Sequence, residues 1–86
     1  MTAFRALADP TRVEILRLVS AQSSPVCVCD IVDHFELSQP TISHHLKVLR
    51  EARLLAMSRV GIWSFYEPDP RGEALLERVP QLLESS

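Results

Sequence analysis

Two thiols separated by one residue, in the run Cys27-Val28-Cys29-Asp30, are the most distinctive chemistry in this chain. They are its only cysteines. At that separation they enclose almost no loop, so they cannot serve as the framework of a disulfide-stapled fold. A free cysteine is commonly a small buried hydrophobe. Here the recurrence of Val28, Ile31, Val32 and Phe35 predicts a helix from about Cys27 to Glu36. Both thiols then fall at a helix start, where unpaired amides and the positive end of the dipole favour thiolate, the form that binds soft ions. Side chains two positions apart on an intact helix diverge by about 200°. One ion can therefore be gripped by both sulfurs only if the first turn unwinds. Oxidation of the same pair, a thiol-redox sensor, is an alternative use. A small thiol redox enzyme is a further one, but there is no Cys-x-x-Cys in a βαβ setting, no nucleophile elbow and no acid-base pair of convincing spacing.

A second set of groups suits a polyanion. In Leu37-Ser38-Gln39-Pro40, Ser38 is a good N-cap and Pro40 sits where no amide donor is missed. The helix this opens runs to about Ala52, with Ile42, Leu46 and Leu49 inward. Helical geometry puts Pro40, His44, Lys47 and Glu51 on the opposite side, flanked by Thr41 and Ser43. Gln39, Thr41, Ser43, His44 and Lys47 supply what a recognition helix needs, short groups that reach base edges and cations or hydroxyls for phosphates. His45 lies about 60° from the inward direction and is read as a packed histidine, and His34 as a solvated one. Beyond the helix, Leu54 to Ser58 and Ile62 to Tyr66 read as strands joined by Arg59-Val60-Gly61, a hairpin with Gly at the turn. Arg59 at its tip is a candidate phosphate contact. Trp63, Phe65 and Tyr66 are read as structural, packing residues or cross-strand pairs.

The elements that must hold these groups fit in a short chain. Its 86 residues make one domain over 1–86, and they exclude barrels and doubly wound dinucleotide folds. A composition 47% hydrophobic and 23% charged is that of a globular protein with a core, not a disordered one. No apolar run approaches the roughly 18 residues of a membrane span, and Met-Thr-Ala-Phe-Arg lacks a secretory h-region, so a cytoplasmic location without membrane association is expected. The net charge of -2 conceals an asymmetry: residues 38–66 hold Lys47, Arg50, Arg53 and Arg59 against Glu51 alone, +3 in the stretch carrying the candidate DNA contacts. A short helix over Ala3 to Ala8 and a helix from about Pro10 to Ala21, capped by Asp9, precede the thiols. Pro68-Asp69-Pro70 starts a last helix from about Arg71 to Glu84, bent or shortened by Pro80. The expected class is mainly α with a β-hairpin wing (α+β), a winged helix-turn-helix. The last helix carries Leu75, Leu76, Val79, Leu82 and Leu83, more apolar surface than so small a core can cover, which points to self-association.

Leu7-Ala8-Asp9-Pro10-Thr11-Arg12, then Cys27-Val28-Cys29-Asp30, then the run Leu37-Ser38-Gln39-Pro40-Thr41-Ile42-Ser43-His44-His45-Leu46-Lys47-Val48-Leu49-Arg50-Glu51-Ala52 together resemble the ArsR/SmtB family of metal-sensing winged-helix repressors. The resemblance covers about residues 4 to 68. It implies double-stranded operator DNA as partner and a homodimer built through the first and last helices. By position it implies DNA contacts from Ser38, Gln39, Thr41, Ser43 and His44. It also implies that Cys27 and Cys29 capture As(III) or Sb(III) as inducer, with Cd(II) or Pb(II) as the alternative, and no organic cofactor. Trivalent arsenic usually takes three thiolates, and family members supply another Cys at the place of Val32 or from an N-terminal arm. This chain has two thiols, so a third ligand is expected from a small thiol, water or residues outside it. Zinc sensors of the family bind through Asp and His on the last helix, where this chain has no His, which discounts zinc. Two departures stand out. Arg53 occupies a place where the family usually has Gly, so a left-handed helix end there would cost about 1 kcal/mol. The first helix is also short for the family, as in a trimmed or compact member.

Overall fold

The computed structural model describes residues 3–70. The expected last helix lies outside the described residues. In chain order the elements are α1 (Ala3–Ala6), α2 (Pro10–Ser20), β1 (Val26–Cys27), α3 (Val28–His34), α4 (Gln39–Glu51), β2 (Leu55–Val60) and β3 (Trp63–Pro68). This is a winged helix-turn-helix: α3, a four-residue turn and α4, followed by the β2–β3 hairpin.

Local chemistry starts and stops each helix. Asp9 is extended, and its Oδ1 accepts the Thr11 N–H at 2.8 Å while Pro10 occupies the first turn of α2, satisfying one of the orphan amides of the helix start. At the end of α4 the chain turns left-handed at Arg53, φ 62. The Leu54 N–H donates to the Leu49 carbonyl at 2.9 Å and the Arg53 N–H to the Arg50 carbonyl at 3.0 Å. Those two bonds form a Schellman motif, and its companion apolar contact joins Leu49 and Leu54, both fully buried. Arg53 thus adopts the strained conformation expected from its place in the sequence.

Three strands form one antiparallel sheet in the order β1-β3-β2. Val60 faces Trp63, so the turn is Gly61-Ile62. The three-residue loop Arg59-Val60-Gly61 is therefore corrected: Arg59 and Val60 belong to β2, and Arg59 pairs with Ser64 one step below the turn. Gly61 has φ +63 and Ile62 does not take positive φ, the pattern of a two-residue turn with Gly first, whose twist matches its strands. β1 was not anticipated, because two residues are too few to show a period. It pairs Val26 with Tyr66 and Cys27 with Phe65, and it makes α3 start at Val28 rather than Cys27. α3 also ends earlier than expected, with Phe35 extended after His34.

The core lies between the helices and one sheet face. Ile15, Leu16 and Val19 of α2, Ile31 of α3, Ile42, Leu46 and Leu49 of α4, and Leu54, Leu55 and Tyr66 of the hairpin region meet there. α4 is thereby held by one side only, with the other left free.

Candidate nucleic-acid interface and thiol pair

α4 turns Ile42, Leu46, Val48 and Leu49 into the core and leaves Gln39, Thr41, Ser43, His44 and Lys47 exposed. That is the division its 3.6-residue period dictates. Ser38 is the N-cap: its Oγ accepts the Thr41 N–H at 3.4 Å and lies 2.8 Å from the Thr41 hydroxyl. Ser38 and Thr41 are accordingly tied to each other at the helix start, while Gln39, Ser43 and His44 follow on the exposed side. Lys47 Nζ sits 4.0 Å from Glu51 Oε1 in a well-exposed pair, a contact too weak in water to hold the ammonium away from a phosphate. Arg50 reaches the other way, its Nη1 3.1 Å from Met57 Sδ, joining the last turn of α4 to β2. Lys47, Arg50, Arg53 and Arg59 are all exposed, so the +3 stretch is surface charge.

His45 is half-buried, as a packed histidine should be. Its Nδ1 is buried with no hydrogen-bond partner among the described residues. Burial works against ionisation of Asp9, but the Thr11 N–H, the charge of His45 and Arg12 outweigh it and hold the Asp9 carboxyl below its usual range. The cap of α2 and the inner edge of α4 are thereby electrostatically linked.

At the head of α3 the Cys27 and Cys29 Sγ atoms lie 2.7 Å apart. Cys27 is buried, Cys29 is exposed, and both are free. Cys27 is extended, φ -66 and ψ 142, as the N-cap of α3, so helical angles do not govern its side chain and the sulfurs meet across Val28. The expected unwinding of a helical turn is therefore unnecessary: β1 has already opened it. The expectation of an easily formed thiolate is also corrected for Cys29. Its hydrogen bond with Cys27, then partial desolvation and the charges of Cys27 and Asp30, push its thiol above the ordinary range.

Cys29, but not Cys27, borders a groove of about 290 Å³ whose other walls are Val28, Val32, Asp33, Gln39, Ile62 and Trp63. It brings together three features far apart in sequence: a thiol, the first residue of α4 and the wing turn. Trp63 is 50% exposed and Ile62 85%, while Tyr66 is buried. Trp63 is thus a cross-strand partner of Val60 and not a core packing residue. The signal was present in the alternation of β3, which sets Trp63 and Phe65 on the face opposite Tyr66. No set of three His, Cys, Asp or Glu side chains suited to a metal occurs among the described residues.

An exposed polar helix on a helix-turn-helix, followed by a hairpin that carries Arg59 beside its turn, defines a DNA-binding regulator. Residues 9–56 match the family model described as bacterial regulatory protein, arsR family. An uncharacterized HTH-type transcriptional regulator of Methanocaldococcus jannaschii is 41% identical over 80 residues, 92% of this chain and 89% of that protein. The arsenical resistance operon repressor of Bacillus subtilis is 42% identical over 64 residues, 74% of this chain and 60% of the repressor. A solved structure of a possible transcriptional regulator for arsenical resistance shares the fold with a TM-score of 0.79 at 33% identity, over 99% of this chain and 83% of that one. The chain belongs to the arsR family of transcriptional regulators and is not an enzyme.

Proposed function

We propose that this chain represses transcription by binding operator DNA as a homodimer and lets go when Cys27 and Cys29 capture As(III), Sb(III) or a related thiophilic ion. The observation that carries the reading is the 2.7 Å approach of the two sulfurs at the head of α3, the first half of the helix-turn-helix. Both thiols are free and their donor set is soft, which favours trivalent arsenic or antimony over hard cations. Similarity to arsenical resistance repressors supports the same inducer class. Cd(II) or Pb(II) would need further donors from outside the described residues.

In this reading Gln39, Ser43 and His44 meet base edges, Ser38 and Thr41 set the start of the helix against the backbone, and Lys47 and Arg59 contact phosphates. Replacing the shared thiol hydrogen bond by two bonds to one atom shifts the junction of β1 and α3, and α4 follows through the four-residue turn. Moving a two-state protein from mostly bound to mostly released takes about 5.5 kcal/mol of differential affinity, within reach of metal-thiolate bonds. Exposed Phe4 on α1 supports self-association through the first helix.

The test is operator binding followed by titration with arsenite. Cys29→Ser and the double Cys→Ser variant should bind the operator as the unsubstituted chain does and fail to release it. A double variant that still released DNA on adding arsenite would place the sensor elsewhere. The same sulfur approach favours one second reading, release by thiol oxidation. Mass spectrometry after arsenite and after peroxide separates the two by the adduct formed.

A further inference from the structure

Resting on the reading of α4 as the helix that meets DNA, we infer that the wing turn is an apolar wedge. Ile62, backed by Val60, enters the minor groove beside the stretch read by α4 and opens a base step, so that the chain bends its operator. Ile62 is 85% exposed and Val60 65%, the two most exposed large apolar side chains among the described residues. Isolated apolar side chains are ordinary on surfaces, but Val60, Ile62 and the half-exposed Trp63 stand together at the end of one hairpin, and a contiguous patch of this kind marks a contact surface. The turn is also bare. Gly61 has no side chain, and no atom beyond its chain neighbours comes within 4 Å of where its β-carbon would stand. The hairpin thus ends in a free edge two strands wide, about 5 Å between strands, against a minor groove about 6 Å wide.

Position and charge select DNA as the partner. Ile62 and Trp63 line the same groove as Gln39, the first residue of α4, so the tip and the recognition helix lie side by side. Asp33 also lines that groove. Its carboxylate keeps phosphate out, so the duplex is met at the exposed Gln39 and Ile62. The register Arg59↔Ser64 and Val60↔Trp63 puts neighbouring β2 residues on opposite sheet faces. Arg59 shares its face with Met57, which Arg50 reaches from α4, so the cations lie on the α4 side and the apolar pair on the other. Val60, Gly61 and Ile62 carry no side-chain donor or acceptor, so the tip cannot read base edges by hydrogen bonds. What it can do is displace water and unstack bases, most readily at pyrimidine–purine steps such as TA and CA. Apolar wedges in the minor groove kink a duplex by about 20–90° toward the major groove. That is the groove α4 is built to enter, so the bend closes the DNA around the recognition helix.

The probe is a duplex enriched by the unsubstituted chain from a randomised pool. Its bend is measured by energy transfer between dyes at its ends, and unstacking by 2-aminopurine placed under the wing. The expected result is a kink of at least about 20° with brightened 2-aminopurine emission. Ile62→Ser should abolish both and weaken binding about tenfold, whereas Ile62→Leu should keep all three. Ile62 is a solvent-exposed turn position, so neither variant threatens the fold. Arg59→Ala should lower the salt slope and retain the bend. Replacing a TA or CA step under the tip by AA should cost the unsubstituted chain several-fold in affinity and cost Ile62→Ser little. A straight duplex in the complex, or a bend unchanged by Ile62→Ser, would overturn the inference and leave DNA binding by α4 standing. A sedimentation mass that falls in Ile62→Ser without DNA would assign the tip to a second copy of the chain and overturn it as well. Failure to enrich any duplex would overturn the DNA reading and the inference with it.

Discussion

At the scale of single residues, Arg53 and Asp9 show how much one backbone angle or one carboxylate contributes. Arg53 sits at φ 62, where a β-carbon crowds the following carbonyl. Arg53→Gly should raise stability by about 1 kcal/mol, read as an increased denaturant midpoint at unchanged slope. An unchanged or lower midpoint would mean that the guanidinium contributes more than the strain costs. Asp9 caps α2 through the Thr11 N–H, and Asp9→Ala should cost about 1 kcal/mol at neutral pH. The sign with pH follows from its lowered folded value: the stability from the carboxylate is fully present above the unfolded value, near pH 4, and is lost as pH falls through the folded one. The gap in stability between Asp9→Ala and the unsubstituted chain should therefore narrow below about pH 4. A gap constant down to pH 2 would show that the cap does not depend on charge.

At the scale of elements, the proposed interface assigns different work to α4 and to the hairpin. Lys47→Ala should weaken binding on every DNA sequence alike and lower the salt slope by about one, because it removes one phosphate contact and one released counterion. Arg59→Ala should behave in the same way from the wing. Gln39→Ala and His44→Ala should instead narrow the difference between operator and random DNA, since base edges carry the sequence information. Mobility shifts over a salt series distinguish these patterns, and three silent α4 variants would remove it from the interface. α3 is the counterpart element. Its head is pinned by β1 against β3, so the thiols ride on the sheet as much as on the helix, and an event there is felt by the wing.

At the scale of the whole molecule, the proposed repression calls for two copies acting together. A two-fold dimer presents α4 twice, on major-groove faces about one helical turn, roughly 34 Å, apart. Inserting about five base pairs between half-sites would turn them to opposite faces of the duplex, and operator affinity should fall at least tenfold. Unchanged affinity would argue for independent monomers. Sedimentation of the free protein supplies the companion measurement, with a mass twice that of the chain expected.

The helices were legible from sequence for a physical reason: each carries its own start signal and its own period. Asp9-Pro10 and Ser38-Gln39-Pro40 are local caps, and Ile42, Leu46 and Leu49 recur at the spacing of one face, so the exposed set Gln39, Thr41, Ser43, His44 and Lys47 follows from geometry within a single element. Arg53 was legible too, because a helix end is a local event. What the chain alone could not disclose depends on partners distant in sequence. β1 exists only because Val26 and Cys27 find Tyr66 and Phe65 some forty residues later, and that pairing frees Cys27 from the helix and brings its sulfur to Cys29. The groove from Cys29 to Trp63 and Gln39 likewise has walls from three elements. Residue types and spacing determined an exposed polar helix suited to DNA and a pair of thiols one residue apart. Only tertiary packing decided that the sulfurs already converge, since long-range strand pairing, not helical angle, orients them.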